Sequence, residues 1–187
     1  MKVALLNGTM VGSKTKVLLE EAEHHLKNIS HEIEVEHIHL DQYQIEFADG
    51  RAVEEYGEET QTLIHQLEKA DGFIIATPIF QGSIPGALKN ALDLVSPQAM
   101  RYKPVALMAN GGTVQHHLVI ENQLKPIFDY FRCLITPNYV YTDSSQFSHT
   151  NVLIDEDVKH RIYELARVFS HYLPMSQAIK KGDHLYS

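Results

Sequence analysis

Short apolar runs recur along the chain, and most are followed by a segment with helical spacing. Residues 2–7 (Lys-Val-Ala-Leu-Leu-Asn) form the first run and stop at Asn7-Gly8. A helix is predicted from about Lys14 to Asn28, with Val17, Leu18, Ala22, His25 and Leu26 on one side. Residues 32–40 alternate instead. Ile33, Val35, His37 and His39 face one way, and Glu34, Glu36, Ile38 and Leu40 the other. That is a strand with one wetter face, as at a sheet edge. After an irregular stretch from Asp41 to Arg51, an amphipathic helix from Ala52 to Ala70 carries Leu63, Ile64 and Leu67. Phe73-Ile74-Ile75-Ala76 reads as a strand buried on both faces, and Ala87 to Leu92 as the helix after it, with Pro85 in its first turn. Pro104 to Ala109 is a fourth buried strand.

The second half of the chain is less regular. A helix is expected from Gln115 to Tyr130, and Pro126 inside it predicts a kink or two shorter helices. The fifth strand falls within Cys133–Tyr141, where Pro137 marks an irregularity or an edge. Residues 142–151 form a Ser-, Thr- and Asn-rich loop. Asp155 to Leu173 closes the fold as a helix with Val158, Ile162, Leu165, Val168 and Phe169 at core spacing. The tail from Pro174 is polar, either loose or packed on a second subunit. Five strand–helix cycles call for a parallel sheet with right-handed crossovers, in a single domain spanning residues 1–187. The order 2-1-3-4-5 fits an edge-like second strand and a central first strand. Its switch point brings loops 8–15 and 78–83 face to face, with loop 110–113 on the same rim.

Composition narrows the partners. Hydrophobic content of 44% and charged content of 21% are those of an ordinary globular protein. The net charge is −8, from 16 basic and 24 acidic residues. That argues against nucleic acid or an anionic membrane as the partner. No apolar run approaches the roughly 20 residues of a membrane span, and the N-terminal apolar run is too short for a signal peptide. Cys133 is the only cysteine, so no intrachain disulfide can form, and a reducing cytoplasm is the expected location. The expected partner is a small molecule.

The three loops carry the chemistry. In the first, Gly8 and Gly12 let the backbone approach a ligand, Thr9, Ser13 and Thr15 offer hydroxyls, and Lys14 brings charge to a helix start. Together these suit a phosphate. A nucleotide-triphosphate P-loop needs four residues between its glycines. Here only Thr9, Met10 and Val11 intervene, and no later strand ends in an Asp placed to hold magnesium. The dinucleotide fingerprint is also absent. The second loop, Pro78-Ile79-Phe80-Gln81-Gly82-Ser83, combines a flat apolar surface with backbone N–H groups for a ring edge. The third, Asn110-Gly111-Gly112-Thr113, adds more such donors. A planar heterocycle tethered by one phosphate matches all three, and flavin mononucleotide (FMN) is that ligand. The twelve histidines follow no metal-binding spacing, so no metal is expected. Gly82-Ser83-Ile84-Pro85-Gly86 is no hydrolase elbow, because its serine adjoins the glycine.

These residues carry a family resemblance. The segment Thr77-Pro78-Ile79-Phe80-Gln81-Gly82-Ser83-Ile84-Pro85-Gly86-Ala87-Leu88-Lys89-Asn90-Ala91-Leu92-Asp93 closely resembles T-P-E-Y-N-G-S-x-P-G-x-L-K-N-A-L-D of the NAD(P)H-dependent FMN reductases, which include azobenzene and quinone reductases. The first loop is similar to their G-S-x-R-x-x-S phosphate loop, with Thr9 in place of the first serine and Lys14 in the basic role. The likeness extends over most of residues 1–142. It implies a flavodoxin-like three-layer sandwich, bound FMN, and NADPH or NADH as co-substrate. It also implies hydride transfer to the flavin and onward to a flavin, quinone or azo acceptor, in a homodimer or homotetramer. No side-chain acid or base is required, and no catalytic residue is assigned. Two departures stand out. His116-His117 make the rim bulkier, and Ile79-Phe80 replace an acidic and tyrosyl pair. A flavodoxin-like electron carrier without NAD(P)H turnover is the alternative.

Overall fold

Side chains alternate across a strand, so a strand covered on both faces is apolar at nearly every position. In a computed structural model describing residues 1–183, the runs of that kind become β1 (Lys2–Asn7), β3 (Gly72–Pro78) and β4 (Pro104–Asn110). The alternating segment becomes β2 (Glu34–His39). The fifth strand is split into β5 (Leu134–Ile135) and β6 (Val140–Thr142), as Pro137 foreshadows. All pairings are parallel, in the order β2-β1-β3-β4-β5, with β6 also on β4. The sheet thus has the order read from the sequence, with β2 at the edge, but carries a sixth short strand. Since β3 covers one side of β4, β5 and β6 share the other.

The helices are α1 (Lys14–Ile29), α2 (Glu58–Lys69), α3 (Gly86–Asp93), α4 (Pro97–Met100), α5 (Lys125–Tyr130) and α6 (Glu156–Gly182). Val3 and Leu5 of β1, Ile74 of β3 and Met108 of β4 pack on the α1–α6 layer. Their neighbours Ala4, Leu6, Ile75 and Leu107 pack on the layer of α2, α3 and α5. Leu124, Phe128 and Phe131 are buried in that second layer, as core residues should be, and Ile127 packs against it.

Four boundaries differ from expectation, each for a local reason. The helix expected from Ala52 starts at Glu58. Residues 53–55 form a 3-10 turn tied by Glu55 Oε2, which accepts from Ala52 N at 2.8 Å, and Gly57 caps the helix proper. The helix expected over 115–130 divides upstream of Pro126, into a 3-10 turn at Val114–His117, a π-turn at Ile120–Leu124, and α5. Pro126 sits harmlessly in the first turn of α5. The loop at 142–151 is ordered: Asp143 caps a 3-10 turn at Ser144–Gln146, and Phe147 bridges Leu153. Finally, α6 runs through Pro174 to Gly182, so the tail is neither loose nor a separate segment up to that point. Ser176 Oγ anchors it by donating to Tyr102 O at 2.7 Å, and Arg101 pairs with Asp183 at 3.0 Å.

One buried cation links the layers. Lys103 is 5% exposed, and its Nζ donates to Glu68 O at 2.6 Å, at the carbonyl end of α2. Helix C-termini favour positive charge, but burial depresses the Lys103 pKa from 10.5 to about 8, helped by the nearby positive charge of Lys180. Between those two values the unfolded chain holds a proton that the folded chain has released. This group's contribution to stability therefore rises with pH across that window, by about 3 kcal/mol in full. The half-buried Cys133 thiol, pushed up by desolvation from 9.0 to about 12, acts in the opposite sense. Comparison with Lys103→Met isolates the lysine. Denaturant titrations from pH 8 to 10.5 should show wild type gaining on the variant as pH rises, and a constant difference would contradict the assignment.

Candidate functional site

Loops that follow parallel strands all leave from the same end of the sheet, and here the pairing continues past the strand ends. Gly8 N donates to Ala76 O at 2.8 Å, Ile79 N to Asn110 O at 2.9 Å, and Gly111 N to Thr142 O at 2.9 Å. The loops after β1, β3 and β4 are thereby held in register along one rim. A hollow of about 240 Å³ opens between them, lined by residues 11–15, Pro78, Phe80, Asn110 and Asn151. A larger hollow of 490 Å³ lies away from these loops, between α3 and α5, and is mostly apolar, with Leu92, Val95 and Ile127 in its walls.

The first loop divides its polar groups between structure and surface. The Thr9 hydroxyl is buried and turned back on its own loop, donating to Val11 O at 2.9 Å and accepting from Val11 N. The Thr15 hydroxyl is also buried and donates to Asn7 Oδ1 at 2.7 Å. Ser13 and Lys14 face outward. No side chain caps the start of α1, so the N–H groups of Lys14, Thr15 and Lys16 have no partner among the described residues. Beneath the loop, Asn7 is fully buried and its Nδ2 has no hydrogen-bond partner among the described residues.

The second loop is a two-residue turn. Phe80 N donates to Ser83 O at 2.8 Å and Ser83 N to Phe80 O at 2.9 Å, so both of those N–H groups are spent within it. The central residues take φ of 50° at Gln81 and 75° at Gly82, which is the left-handed pair of a type I′ turn. Glycine accepts that geometry freely, whereas a glutamine there carries about 1–2 kcal/mol of strain. The Gln81 and Gly82 N–H groups are left without a protein partner among the described residues. In the third loop, Gly111 N is occupied by Thr142, leaving Gly112 and Thr113 as donors. Phe80 stays 43% exposed beside them.

The structure adds a fourth contributor that the sequence reading treated as a plain loop. Lys14 Nζ donates to Ser144 Oγ at 2.8 Å and lies 5.4 Å from the centre of the Phe147 ring. Asn151 Nδ2 donates to Ser13 Oγ at 2.9 Å. The segment after β6 reaches the first loop because α6 packs beside α1 in one layer. The available signal was topological: the end of a fifth parallel strand must open on the same rim.

Residues 1–147 match the NADPH-dependent FMN reductase family. The chain belongs to that family. An NAD(P)H-dependent FAD/FMN reductase of Geobacillus thermodenitrificans (strain NG80-2) is 46% identical over 182 residues, 97% of each chain. An FMN-dependent NADPH-azoreductase of Staphylococcus saprophyticus is 32% identical over 114 residues, 59% of this chain and 60% of the relative. A short-chain flavodoxin associated with a bacterial microcompartment superposes with a TM-score of 0.65 at 12% identity, covering 92% of this chain and 99% of its own. That likeness shows the flavodoxin-like fold. The protein is accordingly an NAD(P)H-dependent oxidoreductase with FMN as its flavin.

An uncapped helix start, an outward lysine and serine, and an orphaned buried amide below them suit a phosphate monoester. Four unspent N–H groups in the second and third loops, with the exposed Phe80 ring, suit the polar edge and flat face of a flavin ring.

Gly111 fixes the third loop sterically. A Cβ there would lie 1.9 Å from Tyr141 Oη and 2.9 Å from Cζ, and that hydroxyl donates to Thr113 O. Gly111→Ala should therefore lower stability by about 1–3 kcal/mol. Adding Tyr141→Phe, which removes the nearest atom, should restore part of the loss. Denaturant midpoints of the two variants check this, and an undiminished midpoint for the single variant would refute it.

Proposed function

We propose that this reductase holds FMN at the rim formed by the loops after β1, β3 and β4 and delivers electrons from NAD(P)H to a small flavin, quinone or azo acceptor. The observation that supports it most is the division of labour at the rim. Unpartnered donors occur at the start of α1, whose first residues line the hollow, and at Gln81, Gly82, Gly112 and Thr113, in the loops whose Phe80 and Asn110 line it.

FMN held there would supply the redox chemistry, that of a hydride acceptor and electron donor. The chain's own residues bind and orient. Lys14 and Ser13, with the Lys14–Lys16 N–H groups, would hold the phosphate. Thr9 and Thr15 would shape that loop from beneath through their buried hydroxyls. The N–H groups of Gln81, Gly82, Gly112 and Thr113 would meet the polar ring edge, with Phe80, Pro78 and Ile79 beside the ring. Asn110, Gly111 and Ser83 would keep the two ring loops in place. None of these side chains is assigned as an acid or base.

The reading also includes a cytoplasmic location and assembly as a homodimer or homotetramer. Among the described residues no helix is long and apolar enough to cross a membrane. The apolar hollow between α3 and α5 offers a face for a second copy.

Purified protein should bind FMN and, with FMN present, oxidise NADPH or NADH. Lys14→Glu replaces an attraction for phosphate with a repulsion and should weaken FMN by about tenfold or more. Titration by quenching of flavin fluorescence measures it. Wild-type protein that neither binds FMN nor oxidises NAD(P)H would overturn the proposal, and unchanged affinity in the variant would remove the phosphate assignment.

A further inference from the structure

The strained turn at Gln81-Gly82 is gripped from outside by Gln123, a residue to which the sequence assigned no role. Gln123 lies in the π-turn at Ile120–Leu124, far along the chain from the turn. Its Oε1 accepts from Ser83 Oγ at 2.5 Å, and its Nε2 donates to Gly82 O at 3.3 Å. One amide side chain therefore engages two successive residues of the turn with opposite polarity, which its planar geometry allows. The π-turn makes this reach compatible with packing. Ile120 and Leu124 are both fully buried in the α2–α3–α5 layer. The extra residue that a π-turn accommodates re-aims the neighbouring side chains, a device that recurs at functional sites.

The turn needs such a grip. A non-glycine residue with φ of 50° persists where its surroundings over-determine it. The intrinsic hydrogen bonds of the turn, Phe80 to Ser83 and back, leave Gln81 and Gly82 projecting with no other support. We propose that Gln123 is a positioning residue for the flavin ring: it clamps the Gln81-Gly82 turn so that the two free N–H groups stay aimed into the site. This rests on the reading that the turn meets the ring. Gln123 itself touches neither ring nor substrate in this scheme. It acts through Ser83 and Gly82.

The test uses the full chain as wild type, Gln123→Ala, Ser83→Ala, the double variant and Gln123→Glu. Without FMN, amide exchange at Phe80 and Ser83 should quicken in Gln123→Ala, while exchange in β1 and β3 stays as in wild type. That readout does not depend on flavin. With FMN, Gln123→Ala and Ser83→Ala should each weaken binding about tenfold, and the double variant should lose little more than either alone. Gln123→Glu keeps an acceptor for the Ser83 hydroxyl and should recover much of the affinity. The proposal is overturned if the single variants bind FMN like wild type, whether or not exchange quickens, or if their losses multiply in the double variant. Wild type that binds no FMN would overturn it by removing the flavin reading itself, whereas loss confined to the variants would uphold both.

Discussion

The site depends first on β1 and β3 being hydrogen-bonded neighbours, although α1, β2 and α2 lie between them in the chain. A parallel pair cannot be closed by a tight turn, so each connection must cross over a face of the sheet. Placing β2 outside β1 and β3 on its other side sends successive crossovers to opposite faces. That leaves a gap between the loops where the direction of winding reverses. The reciprocal apolar faces of β1, with Val3 and Leu5 on one layer and Ala4 and Leu6 on the other, enforce this arrangement. A polar residue at any of these positions would sit in a core.

On that frame the backbone does much of the chemical work. Strand register extends into the loops through Gly8, Ile79 and Gly111, and the N–H groups used for register are unavailable to a ligand. Those that remain are concentrated at the α1 start and at two short turns. Side chains then hold the turns: Asn110 Nδ2 donates to Thr142 Oγ1 at 3.0 Å, Tyr141 supports Thr113, and Gln123 grips Gly82 and Ser83. Lys14, the residue with charge to offer a phosphate, rests meanwhile on Ser144 and Phe147.

Much of this was legible in the residues because burial on two faces leaves a plain signature. The runs at 2–7, 73–76 and 104–109 could be little else, and the alternation at 32–40 marked the edge. Local punctuation was less trustworthy. Pro174 read as a stop, yet α6 continues through it because Ser176 and the Arg101–Asp183 pair hold the far side. Pro126 read as a kink or a division into two shorter helices; the segment does divide, but the break falls earlier, at a π-turn with no compositional mark. In the first loop, Thr9 and Thr15 looked like phosphate ligands by type, and only their burial shows that each is committed to a partner within the fold. The role of Gln123 was invisible for the same reason. A long-range hydrogen bond leaves no periodicity.

An experimental structure of the FMN complex would test the central claim most directly. The account predicts phosphate density at the start of α1 with Lys14 turned toward it, and the ring edge against the N–H groups of Gln81, Gly82, Gly112 and Thr113. Flavin density elsewhere, for example in the hollow between α3 and α5, would contradict it.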